Sequence, residues 1–143
     1  GQSVTMMTAM INGKMPMLPD MSMGMVDVRD VARLHVKAMT ADGAAGKRFI
    51  AASAEPIEMT TVAKVLKEAG YSRVSSRRAP TILLKIIGLF DAEVRGMLPF
   101  IGKAAAYDNQ ATLDVLEWQP TPLETSFREM AEAISRKDAG EIV

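Results

Sequence analysis

Cysteine is absent from these 143 residues, and histidine occurs once. The first absence excludes disulfides, thiol catalysis and thiolate metal sites, and fits a reducing cytosol. The second leaves little for a nucleophile–histidine triad or a zinc or iron site, each of which needs histidines among converging side chains. His35 stands mid-helix between Leu34 and Val36 and reads as a packed or surface residue; no metal is expected. A surplus of one charge is also missing. Lys plus Arg and Asp plus Glu number 17 each, so no basic stripe for nucleic acid is expected and nothing calls for an anionic membrane. No apolar run can span a bilayer: the longest, "TILLKIIGLF", is ten residues with Lys85 inside it. No secretory signal is evident at the start, and the expected compartment is the cytoplasm.

What is present suits one folded unit: 48% hydrophobic and 24% charged residues, with 12 methionines that read mostly as core filling. Val4, Met7 and Ile11 predict a short helix over 3–12. Pro16 and Pro19 forbid a regular element in "MPMLPD". Met25 to Val28 alternates like a strand. Val31, Leu34 and Ala38 form a helix face, with Asp27 or Asp30 placed to cap it. "RFIAAS" reads as a strand. Val62, Val65, Leu66 and Ala69 make a helical stripe, with Thr60 or Thr61 near its N-cap and Gly70 at its end. "YSRVSSRRAP" reads as an exposed connector, its Arg73, Arg77 and Arg78 a solvated or helix-adjacent run and not an anion site. Thr81 to Phe90 is apolar nearly all round and predicts a buried helix or one over an apolar cavity. A helix over 91–101 breaks near Pro99, "AAAYD" is a short strand, and helices follow over 109–116 and from Leu123.

Few side chains offer chemistry. Asp27 and Asp30 lie three apart at a strand-to-helix junction, where one capping carboxylate and one partner for Arg29 or backbone amides is the simplest reading. Glu129 and Glu132 read as the wet face of the last helix. "GAAGK" precedes a strand where a phosphate loop would follow one, and lacks the Ser or Thr after lysine.

The order of four segments is informative. "INGKMPMLPD", "VDVRDVARLHVKAM", "AAGKRFIAAS" and "DNQATLDVLEWQPTPLETSFREMAEAI" together resemble the C-terminal part of an extended short-chain dehydrogenase/reductase, of the epimerase/dehydratase superfamily and its dihydroflavonol-reductase-like and aldehyde-reductase-like branch. The resemblance implies an α/β fold: the C-terminal portion of a Rossmann-type reductase, mostly helical as a fragment, with two or three short strands. Residues 1–143 would comprise the substrate lobe (1–25 and about 71–123) plus the last strand and helices of a nucleotide-binding domain whose N-terminal half is absent. "MVDV" would pair with "AAAYD", and "RFIAAS" would join the missing sheet. The cofactor, NADP or NAD, belongs to the full-length parent and is not expected to bind this chain alone. The family's Tyr-x-x-x-Lys pair has no counterpart: Tyr71 is followed at +3 and +4 by Val74 and Ser75, and Tyr107 by Gln110 and Ala111. Catalytic residues are therefore expected upstream.

One departure carries a structural expectation. The family's Leu-Gly-Trp is here Leu116-Glu117-Trp118. Glu117 must take a left-handed conformation at a cost of ~1 kcal/mol, or the turn differs.

The expected function is the substrate-binding half of a reductase acting on an apolar aldehyde, ketone or dihydroflavonol-like carbonyl, with a pocket lined by Met21, Met23, Met25, Met97 and Phe100. Asp27, Arg29 and Asp30 form a structural junction behind it. A sugar-nucleotide epimerase or dehydratase is the runner-up parent. A stand-alone, non-catalytic ligand- or protein-binding module is the alternative. Loss of the partner half would expose the apolar faces of helices 30–39 and 58–69 and the edges of strand 48–52, favouring self-association.

Overall fold

The computed structural model describes residues 1–140. Seven helices and one two-stranded antiparallel sheet make it a mixed α/β structure that is mostly helical. Three helices supply the main core: α1 (Gln2–Ile11), α3 (Met59–Glu68) and α7 (Leu123–Asp138). Each does so through helical spacing. Met7, Met10 and Ile11 face inward from α1, Val62, Ala63 and Leu66 from α3, and Phe127, Ala131 and Ile134 from α7. Leu18 and Val74 reach the same core from loops. The expected exposure of helix 58–69 is thereby corrected: Val62, Ala63 and Leu66 are each 0% exposed, because α1 and α7 cover that face.

A second, smaller cluster joins Leu34 of α2 (Val28–Thr40) to Ala44, Leu116 and Trp118, with Phe49 and Ala51 against it. Here the chain turns after α6 (Gln110–Val115). Glu117 has φ 46° and is the non-glycine residue with positive φ among the described residues. The Trp118 N–H donates to the Leu113 carbonyl at 3.2 Å, the long-range bond of a Schellman cap, whose left-handed position favours glycine. Glu117 itself takes the left-handed position of this cap.

Strand placement differs from expectation in three segments. The ladder is formed by β1 (Ser22–Met23) and β2 (Ile57–Glu58), with Ser22 opposite Glu58 and Met23 opposite Ile57. Residues 25–28, 48–52 and 104–108 form no strand, and "MVDV" does not pair with "AAAYD". Residues 52–54 lie between them instead. The Ser53 N–H donates to the Met25 carbonyl at 2.8 Å, and the Tyr107 N–H to the Ala54 carbonyl at 3.0 Å. Residues 48–52 keep an irregular path because ladder partners are lacking along their length. Side chains take over part of that role: Asn109 Nδ2 donates to the Ala52 carbonyl and Thr112 Oγ1 to the Ile50 carbonyl, both at 2.8 Å.

Two smaller points concern the start of α3 and the arginine-rich connector. α3 is preceded by Glu58 without a side-chain cap; Thr60 and Thr61 lie in its first turn, near the N-cap as expected, and Thr60 Oγ1 donates to Glu58 Oε2. The arginine-rich connector is anchored and not simply exposed. Leu18 donates to the Arg77 carbonyl and Ala79 to the Leu18 carbonyl, both at 2.7 Å, while Arg78 reaches Asp20 and Glu58.

The connector leads to a separate helical lobe, α4 (Thr81–Ile87) and α5 (Ala92–Met97), closed by a 3-10 turn at Leu98–Phe100. Asp91 caps α5 by accepting from the Glu93 and Val94 N–H groups. Gly88 permits the close packing of the two helices: a Cβ there would stand 3.1 Å from Leu98 Cδ1 and 3.3 Å from Arg95 Cα. The apolar run 81–90 is not buried, contrary to its composition. Leu84 alone of this run's large side chains is buried, and no residue of α5 is.

Candidate functional site: a methionine-lined cleft at the strand-to-helix junction

The structured junction is the run from Met21 to Asp30. Gly24 makes it possible: a Cβ would stand 2.6 Å from the Tyr107 ring and 3.0 Å from Ala52 Cβ, inside contact distance. With glycine there, three segments cross closely, and Met23 and Met25 are held on the wall of a cleft of about 690 Å³. Met6, Leu123, Phe127 and Met130 supply much of the remaining apolar wall.

Of the five residues expected to line a pocket, Met23 and Met25 do line this cleft. Met21 packs against the main core beside it. Met97 ends α5 and Phe100 lies in the following turn; neither joins the cleft lining, and Phe100 is exposed.

The polar rim is an ion-pair ring. Asp27 is the N-cap of α2: its Oδ1 accepts from the Arg29 backbone N–H at 2.8 Å and from Arg29 Nε at 2.9 Å. Oδ2 accepts from Arg29 Nη2 at 2.7 Å and from Ser126 Oγ at 2.6 Å. Arg29 Nη2 also meets Glu129 Oε2 at 2.7 Å. Glu129 is therefore more than the wet face of α7; with Ser126 it ties α7 to the start of α2. Asp27 is buried, and the Arg29 guanidinium holds its carboxyl well below the usual carboxylate range; burial opposes this, and Ser126 and the Arg29 N–H add to the lowering. Arg29 is raised in turn by Asp27 and Glu129.

Asp30 forms a second hub on the other side of α2. Its Oδ2 accepts from the Thr121 N–H at 2.7 Å and its Oδ1 from Thr121 Oγ1 at 2.9 Å, with Arg33 paired to Oδ1. Burial alone would raise this carboxyl, but Thr121, Arg33 and Trp118 outweigh it and the pKa falls. The buried Trp118 Nε1 finds no partner at bonding distance, yet lies near enough to Asp30 to contribute to that lowering. Asp27 and Asp30 thus divide the roles expected for them. Both are ionised anchors of one helix, and neither is placed to carry a proton to a ligand.

A second cleft of about 710 Å³ runs beside Arg33, Lys37, Glu117 and Trp118. Its cations are already engaged, Arg33 by Asp30 and Lys37 by Glu117 at 3.4 Å. His35 is exposed on α2, its Nδ1 2.8 Å from the Val31 carbonyl. No group of three or more His, Asp or Glu that could hold a metal occurs among the described residues. The start of α2 does not fit a dinucleotide. Its diphosphate needs a helix N-terminus behind a glycine-rich turn, and the N-terminus of α2 is filled by the Asp27 carboxylate.

Against models of known protein families and against curated proteins, the chain matches none.

Sequence reading missed Ser126, Glu129 and Thr121 as partners of the junction. Ser126 and Glu129 lie three apart on α7, so one helix face carries both, but nothing local indicates which helix they meet.

Proposed function

We propose that this chain is the substrate-binding half of an NAD(P)-dependent oxidoreductase of the extended short-chain type, acting on an apolar carbonyl compound. The observation that carries the reading is the cleft: about 690 Å³, walled by methionines and aliphatic side chains, at the junction where the family resemblance places the substrate pocket. Its volume is that of a small-molecule site, and flexible thioethers suit an apolar ligand of irregular shape. The left-handed Glu117, at the position of the family's glycine, supports the same assignment. The chain's own contribution is to bind the apolar body of the substrate and exclude water. Asp27, Arg29, Ser126 and Glu129 fix the wall that does so. Hydride and proton donors belong to a cofactor and to Tyr and Lys outside these residues.

The test uses methionine methyl resonances of the isolated chain. A medium-chain ketone or a flavanone should shift Met23, Met25 and Met130 saturably and leave the exposed Met39 unmoved. No shift at the cleft with either compound sinks the proposal, and shifts produced by a sugar nucleotide instead favour the epimerase parent. Micromolar NADPH binding by this chain alone would overturn the placement of the cofactor. An upstream reading frame encoding a glycine-rich strand–turn–helix and a Tyr-x-x-x-Lys pair is the expected companion. A start codon directly before Gly1 favours a stand-alone binding module.

A further inference from the structure

We propose that the α4–α5 lobe is a docking surface for an anionic lipid bilayer. The balanced total charge conceals a local asymmetry. The lobe and the connector that leads to it, residues 71–103, carry six cations (Arg73, Arg77, Arg78, Lys85, Arg95, Lys103) against Asp91 and Glu93, a formal surplus of four in a chain whose net charge is zero; Lys85, Arg95 and Lys103 belong to the lobe side, residues 81–103. Arg78 is held by Asp20 and Glu58, and Asp91 is used as a helix cap. Arg73, Arg77, Lys85, Arg95 and Lys103 make no ion pair within 4 Å among the described residues.

The lobe itself bears the densest exposed apolar surface. Ile82, Ile86 and Leu89 follow one another at helical spacing and are 67%, 51% and 69% exposed; Phe90 at the tip is 89% exposed and Phe100 61%. Lys85 lies within that stripe. Helices of seven and six residues cannot cross a bilayer, which needs about 20 residues. Among the described residues no helix is long and apolar enough to do so. Such an element lies in the interface: aliphatic and aromatic side chains enter the headgroup–acyl boundary, and lysines extend their ammonium groups back to the phosphates. A second copy of the chain suits the lobe less well. A two-fold interface sets the same patch against itself, so the unpaired cations would face each other. An anionic bilayer supplies the opposite charge along with the apolar phase.

Vesicle sedimentation of the full chain tests this, with phosphatidylcholine alone and with phosphatidylcholine/phosphatidylserine at low and high salt. Binding is expected to the phosphatidylserine vesicles at low salt and to weaken with added salt. Phe90→Glu should reduce partitioning at least tenfold. Lys85→Gln and Lys103→Gln should each reduce it about fivefold. Both positions are exposed, so circular dichroism of the variants should match the parent. Equal binding to neutral vesicles, no binding to either kind, or concentration-dependent dimers abolished by Phe90→Glu would each overturn the proposal, the last in favour of a second copy.

Discussion

Two apolar regions of this chain are treated in opposite ways. The stripes of α1, α3 and α7 face one another and are buried, while the lobe of α4 and α5, richer in aliphatic residues for its length, turns most of them outward. The difference is geometric. Helices of ten, ten and sixteen residues each present two or more turns of one face to a neighbour. α4 and α5 have fewer than two full turns apiece, and an all-round apolar helix of that length can cover only one side against a single partner. Hydrophobicity alone therefore says that a segment needs a cover. Length and facing decide whether the chain itself provides one.

The largest expected effect tests the buried side. Leu66 is 0% exposed between α1 and α7, and Leu66→Ala should cost about 3 kcal/mol in a urea titration, through lost burial and a residual cavity. A loss below 1 kcal/mol would mean that the three-helix core is loose. The polar seam of the same core comes next. Asp27→Asn leaves Arg29 and Ser126 without their shared acceptor and should cost about 2 kcal/mol at neutral pH. It should also alter the response to acid. The folded pKa of Asp27 lies below its unfolded value near 3.9, so its stabilisation is complete above about pH 5 and is lost as pH falls through that value towards the lowered one. Melting curves from pH 6 to 2 should thus fall less steeply for Asp27→Asn; parallel curves would refute the role.

The buried side was largely legible in the sequence, because period-3.6 stripes need no knowledge of the partner. Helix positions and the Asp27 cap follow from neighbours within a turn or two; the left-handed option for Glu117 comes from the family resemblance instead. The strands were not legible in the same sense. "RFIAAS" and "AAAYD" have strand-like composition, but a strand exists only where another backbone pairs with it, and here Ser53 and Tyr107 make single bonds where ladders were expected. The exposed lobe failed for the complementary reason: composition signals burial without saying what does the burying. Met23 and Met25, expected at a substrate pocket from their place beside the junction, line the cleft. Ser126 and Glu129 were invisible because they lie 99 or more positions from their partners in the chain.

A gain of stability should come from the turn. Glu117 holds φ 46° where a Cβ is unfavourable, so Glu117→Gly should stabilise by about 1 kcal/mol. Its contact with Lys37 is the competing consideration, but that pair is 3.4 Å apart with Glu117 largely exposed, and such pairs contribute under about 1 kcal/mol. Destabilisation by Glu117→Gly would show that Lys37 or the unfolded-state freedom of glycine outweighs the relieved strain.

The smallest effect is the sharpest test of the comparison. Ile86 is 51% exposed on α4, at the centre of the outward stripe. In buffer without vesicles, Ile86→Ser should change the urea midpoint by less than about 0.5 kcal/mol equivalent, as for surface positions generally. Serine in place of Leu66 in α3 would remove core packing. If Ile86→Ser instead cost 1 kcal/mol or more, and the cost grew with protein concentration, the face would be covered in solution by another copy. The lobe would then differ from the three-helix core only in who supplies the cover.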